Sequence, residues 1–144
     1  MDHAVDHVSL PRLYLLRALY LIIAAGLGLI VWPGIIRHAL PWGLAQGVVN
    51  CMLAAFGLLC ALGVRYPLRM LPILLWELVW KALWLLVVAL PAMRAGPLSE
   101  PMQENLFAIG LVVLIPLALP WRYLVAHYLK RPGERWLPAA RSRA

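Results

Sequence analysis

Four runs of about twenty apolar residues leave this chain few folds to choose from. They occupy residues 11–31, 43–64, 71–90 and 105–124. A helix needs about 20 such residues to cross about 30 Å of hydrocarbon. There every backbone N–H and C=O must be satisfied within the protein, which a helix does on its own. The rest of the composition agrees: 64% of residues are hydrophobic and 13% charged, against about half and a quarter in soluble domains. The expected fold is therefore all-α, an integral membrane four-helix bundle over residues 11–128. A segment 1–10 precedes it and a basic tail 129–144 follows.

The punctuation supports these segments. Pro11, Pro41 and Pro72 stand near helix starts, where a missing N–H costs little. Ser99 with Glu100 and Pro101 looks like an N-cap that starts the fourth helix early. Pro116 and Pro120 are expected to bend that helix. The opening MDHAVDHVSL has two aspartates and no basic n-region, so the first apolar segment is expected to stay as an anchor.

Orientation follows from the loops. An even number of crossings puts both termini on one side. That side carries nine of the 13 basic residues: Arg12, Arg65, Arg69, Arg122, Lys130, Arg131, Arg135, Arg141 and Arg143. The other carries Arg37 and Arg94. The positive-inside rule places both termini in the cytoplasm of a bacterial inner membrane. Tyr14, Trp121 and Tyr123 then fall at the inner interface, and Trp32 and Trp42 at the outer one, as an aromatic belt requires. Within the tail, Lys130, Arg131, Arg135 and Trp136 are expected to rest on the anionic inner leaflet. A disordered tail is the plain alternative. The net charge of +7 thus points to lipid headgroups and not to nucleic acid, for which no motif is present.

The two remaining cations, Arg17 and Lys81, lie inside apolar runs, as does Glu77. Counting 1.5 Å per residue from each helix centre, Arg17 and Glu77 share a level about 5–6 Å to the cytoplasmic side. Lys81 is near the midplane, and Asn50 lies about 6 Å beyond it. An isolated charge there costs about 2.5–3.5 kcal/mol on the insertion scale, so pairing is expected. The expected ladder joins Arg17 to Glu77 across helices one and three, with Lys81 sharing the carboxylate and reaching Asn50. Leu21, Ala24 and Gly28 extend the Arg17 stripe. The Gly43/Gly47 GxxxG, with Cys51 and Ala54, flanks Asn50. Such small stripes let helices approach closely. Trp76, Trp80 and Trp84 form a separate stripe about 100° away and are candidate pocket walls.

Intramembrane ionisable groups are often functional. The ladder admits a lipid-like or quinone-like ligand, a partner subunit or second copy, a transporter or channel path, or a structural ion network. An enzyme ranks last, since no nucleophile–base–acid set, phosphate loop or metal spacing is present. Cys51 and Cys60 sit nine residues apart on one helix, about 180° and 13 Å from each other, and cannot be bridged. The Asp2, His3, Asp6, His7 pattern reads as a frayed terminus. His38 and His127 fall on opposite sides of the membrane and cannot share a haem.

Helix one, LYLLRALYLIIAAGLGLI, and residues 57–70, GLLCALGVRYPLRM, resemble the DoxX-like family of small four-helix bacterial membrane proteins over residues 12–70. The resemblance implies a four-helix bundle and a link to quinone-coupled or redox-related membrane complexes. The chain departs from that pattern in carrying its acidic residue on helix three, at Glu77, and not on helix two.

Overall fold

A computed structural model describes residues 8–37 and 41–132. Among these the chain is helical, with no strand. Four helices are long and apolar enough to cross a membrane: α1 (Leu10–Ile36), α2 (Leu44–Arg65), α3 (Leu71–Ala95) and α4 (Glu100–Ala118).

Proline decides where these helices deform. α1 is regular over Leu10–Ile30, breaks at Val31 and resumes over Trp32–Ile36. Pro33 has no N–H for the Leu29 carbonyl, and its ring crowds that turn. The apolar run expected from the sequence ends at residue 31, just before this break. In α3 the turn Leu85–Ala89 is π-helical, and the Leu90 N–H reaches back five residues to the Leu85 carbonyl. Pro91 follows directly and cannot donate to Val87, so the ladder slips by one residue instead of stopping. α3 thereby runs to Ala95, five residues past the expected end. Gly96, at φ 150°, then reverses the chain in a backbone region open essentially to glycine.

The fourth helix differs most from expectation. It occupies Glu100–Ala118, about five residues ahead of the expected 105–124. Ser99 is its N-cap residue, extended at φ −66°, ψ 154°, although its hydroxyl makes no capping bond. A 3₁₀ stretch, Leu111–Val113, precedes Pro116. Leu119 is extended (φ −63°, ψ 132°), because the ring of Pro120 disfavours a helical residue before it. Pro120 therefore ends the helix where a bend was expected. Beyond it, α5 (Trp121–Leu124) passes into a π-helical turn, Val125–Lys130, in a separate compact unit. There the Tyr123 and His127 rings stack at 4.5 Å.

Within residues 9–119, α1 packs on α2, α2 on α3, α3 on α4, and the end of α4 returns to α1. The short turns 66–70 and 96–99 enforce this, since a short connection makes antiparallel neighbours. The tightest seam is α1 against α2. A Cβ on Gly63 would stand 2.5 Å from the Tyr20 ring, and one on Gly57 would stand 3.3 Å from Leu27 Cβ. Tyr20 is fully buried, and its hydroxyl donates to the Pro67 carbonyl at 3.2 Å. Arg12 donates to the Leu119 carbonyl at 3.0 Å, one of the orphan acceptors at the end of α4.

The seam corrects the expected stripes. Gly43 and Gly47 have nothing within 4 Å of a modest added Cβ, and neither does Gly28. Cys51 and Leu21 are exposed. The buried face of α1 runs through Leu16, Tyr20 and Val31, and that of α2 through Ala54, Phe56, Gly57, Cys60 and Gly63.

A candidate polar site on α3

Glu77 belongs to the packed face of α3. Leu71, Leu74 and Glu77 follow one another at three-residue spacing, and all are buried. That spacing keeps them on one side of the helix. The carboxylate therefore enters the core on the same stripe as two leucines, and its partners must come from nearby.

Two of them come from its own helix. Lys81, one turn on, places Nζ 2.7 Å from Glu77 Oε1. Trp80, three residues on, donates its indole N–H to Oε2 at 2.6 Å. The Lys81 ammonium also lies 5.5 Å from the centre of the Trp80 ring, within range of a cation–π contact. On α2, Cys60 is fully buried. Phe56 of α2 meets Trp76 at 5.4 Å, and Trp76 meets Trp80 at 6.3 Å. A short aromatic chain thus leads from α2 to the ion pair.

The expected ladder is divided. Glu77 and Lys81 pair as anticipated, but Arg17 does not join them. Its guanidinium lies 5.5 Å from the ring of Tyr14, one turn back on α1. Matching levels along two helices are not sufficient. α1 and α3 sit diagonally in the order α1–α2–α3–α4, and the face α1 turns inward carries Leu16 and Tyr20, not Arg17. Asn50 does not reach Lys81 either. It accepts a hydrogen bond from Gln46 at 2.9 Å on the outside of α2.

The tryptophans are likewise not one wall. Trp80 serves the carboxylate, Trp76 is partly exposed beside Phe56, and Trp84 is half-buried. A pairing of indole N–H and carboxylate three residues apart was legible as a helical i, i+3 pair. Treating Trp76, Trp80 and Trp84 as one stripe hides that pair. Among the tail residues, Lys130 and Arg131 are exposed, while Arg135 and Trp136 lie outside the described residues. No group of three or more His, Cys, Asp or Glu side chains poised for a metal occurs among the described residues.

Chemically, the cluster is a neutral pair with unequal use of its groups. Both carboxylate oxygens are engaged, whereas the ammonium, with three donors, is hydrogen-bonded only to Glu77 among the described residues. The Lys81 side chain keeps 17% exposure against 6% for Glu77. No family model matches the chain, and neither a characterised protein nor a solved structure is significantly similar to it.

Proposed function

We propose that the chain is a multi-pass protein of a bacterial inner membrane, DoxX-like in architecture, whose Lys81 offers a hydrogen bond to a carbonyl-bearing, lipid-like or quinone-like ligand. Exposed apolar surface supports the membrane reading. Leu29 and Ile30 are each 79% exposed, and Leu86 and Val87 are 62% and 69% exposed. Soluble monomers rarely expose apolar patches beyond a few hundred Å². Loop charge supports cytoplasmic termini. Reporter fusions at residue 144 are expected to behave as cytoplasmic and fusions after Arg94 as external. A cytoplasmic readout after Arg94 would refute the topology.

One observation carries the ligand reading: the carboxylate is satisfied and the ammonium is not. In hydrocarbon no water meets the spare donors, and an unmet polar group there is costly. A carbonyl oxygen arriving beside Lys81 relieves that cost, and Trp76 and Trp80 give its apolar body a flat neighbour. The pair's neutrality favours a second reading, a structural lock that fixes the rotation of α3 in an accessory subunit. Native mass spectrometry of the purified protein separates the two. The ligand reading expects a co-purifying lipid or quinone in the parent chain. It expects loss of that adduct in the neutral double variant Glu77→Gln/Lys81→Met, which removes the ammonium without stranding the carboxylate. Identical adducts in both proteins would leave the structural lock.

A further inference from the structure

We propose that the turn joining α2 to α3 is a clamp for the phosphate of an anionic phospholipid, with Arg65 and Arg69 as the binding groups and Tyr66 as their platform. The inference rests on the membrane reading above, and it is independent of the Glu77–Lys81 site.

The two guanidinium carbons lie 5.6 Å and 5.9 Å from the centre of one ring, that of Tyr66. Two like charges gathered on a single phenol repel each other, and the ring face offsets only part of that repulsion. Arg65 spends one donor, Nε, on the Tyr66 hydroxyl at 3.1 Å. Neither arginine makes an ion pair among the described residues, where Lys81–Glu77 is the one salt bridge. Nor is a carboxylate within reach among them. Glu77 is taken by Lys81 and Trp80, and Glu100 and Glu104 open α4 at the end opposite the Leu119 carbonyl held by Arg12. Arg12 and Arg17 add two more cations near the start of α1.

The turn is also held in place. Tyr20 of α1 donates to the Pro67 carbonyl, the Met70 N–H returns to the Tyr66 carbonyl at 3.2 Å, and Pro67 and Leu71 are buried. The backbone is therefore ordered before any ligand arrives, while both arginine side chains remain exposed. They stand where two long apolar helices end, the level of lipid headgroups. A guanidinium fork matches phosphate oxygens in pairs, and basic sites at helix ends on the cytoplasmic side bind anionic headgroups.

The test uses the full chain in nanodiscs of phosphatidylcholine, with and without phosphatidylglycerol, and reads retained lipid by native mass spectrometry. The parent chain is expected to retain phosphatidylglycerol selectively. Arg65→Gln/Arg69→Gln is expected to weaken retention about thirty-fold, from the usual contribution of each basic residue near an anionic surface. Arg37→Gln/Arg94→Gln removes the same charge elsewhere and is expected to leave retention unchanged. Arg65→Lys/Arg69→Lys keeps the charge but loses the fork, and is expected to fall between them. Parent-like retention in Arg65→Gln/Arg69→Gln would overturn the clamp. So would full displacement by millimolar inorganic phosphate, which would make the site one for free phosphate. A chain that fails to enter nanodiscs at all overturns the membrane reading instead.

Discussion

Glu77→Gln and Lys81→Met are each expected to destabilise the protein by about 3–5 kcal/mol, the usual cost of removing one member of a buried ion pair. The two should cost similar amounts, since each is the other's only ionic partner among the described residues. Glu77→Gln leaves an ammonium beside the Trp80 ring with no carboxylate partner among the described residues. Lys81→Met strands a carboxylate that is 5% exposed, whose one remaining partner among the described residues is the Trp80 indole. The double variant Glu77→Gln/Lys81→Met is expected to recover most of the loss, because its glutamine still accepts from Trp80 and no charge remains. Arg17→Met should cost about 1 kcal/mol or less, the scale of an exposed cation–π contact. The measurement is reversible unfolding in mixed micelles followed by tryptophan fluorescence, with the parent, Glu77→Gln, Lys81→Met and the double variant forming a mutant cycle. Additive losses in the double variant would mean that the two groups do not act as a pair. A loss from Arg17→Met as large as from Lys81→Met would restore arginine as the main partner.

Gly63→Val is expected to be the most damaging glycine substitution, at about 3 kcal/mol or more, at the upper end for overpacking. A Cβ there would overlap three atoms of the Tyr20 ring, at 2.5, 2.6 and 2.8 Å. The ring has nowhere to go. It is fully buried, and its hydroxyl is tied to Pro67. α1 and α2 must therefore separate, or the hydrogen bond must break. Gly57→Ala should be milder, since its Cβ would meet Leu27 Cβ at 3.3 Å and a shift of a few tenths of an ångström relieves it. Gly47→Ala should be neutral or slightly stabilising, with nothing within 4 Å to meet and less chain entropy to lose. Thermal unfolding in detergent ranks the three. Equal effects at Gly47 and Gly63 would mean that the α1–α2 seam is not where the structure places it.

The reasons for the mismatches are local and particular. Pro120 lies inside the expected fourth helix, where a bend is the expectation, but the residue before a proline is driven to extended backbone, and Leu119 takes that conformation. Pro91 should have ended α3 by the same logic. There the helix absorbs the missing bond in a π-turn. The GxxxG at Gly43 and Gly47 was a reasonable contact signal, since small residues permit close approach. Permission is not contact, and the seam formed at Gly57 and Gly63, where Leu27 and Tyr20 supply the matching bulk.

Composition and run length were sufficient by themselves for an all-helical chain with four membrane-length helices, because hydrophobic length is a one-dimensional property. The pairing of Glu77 with Lys81 was equally legible, because residues one turn apart on a helix meet whatever surrounds them. Which helices become neighbours, and which face each turns inward, is a property of packing. Arg17 and Glu77 lie at matching levels by residue count, yet the order of the helices sets them on diagonal members and the bulk of Tyr20 takes the inward face of α1. The tertiary structure alone decided that α1 presents a tyrosine to its neighbour and leaves the arginine to its own helix, since local spacing carries no information about rotation around a distant axis.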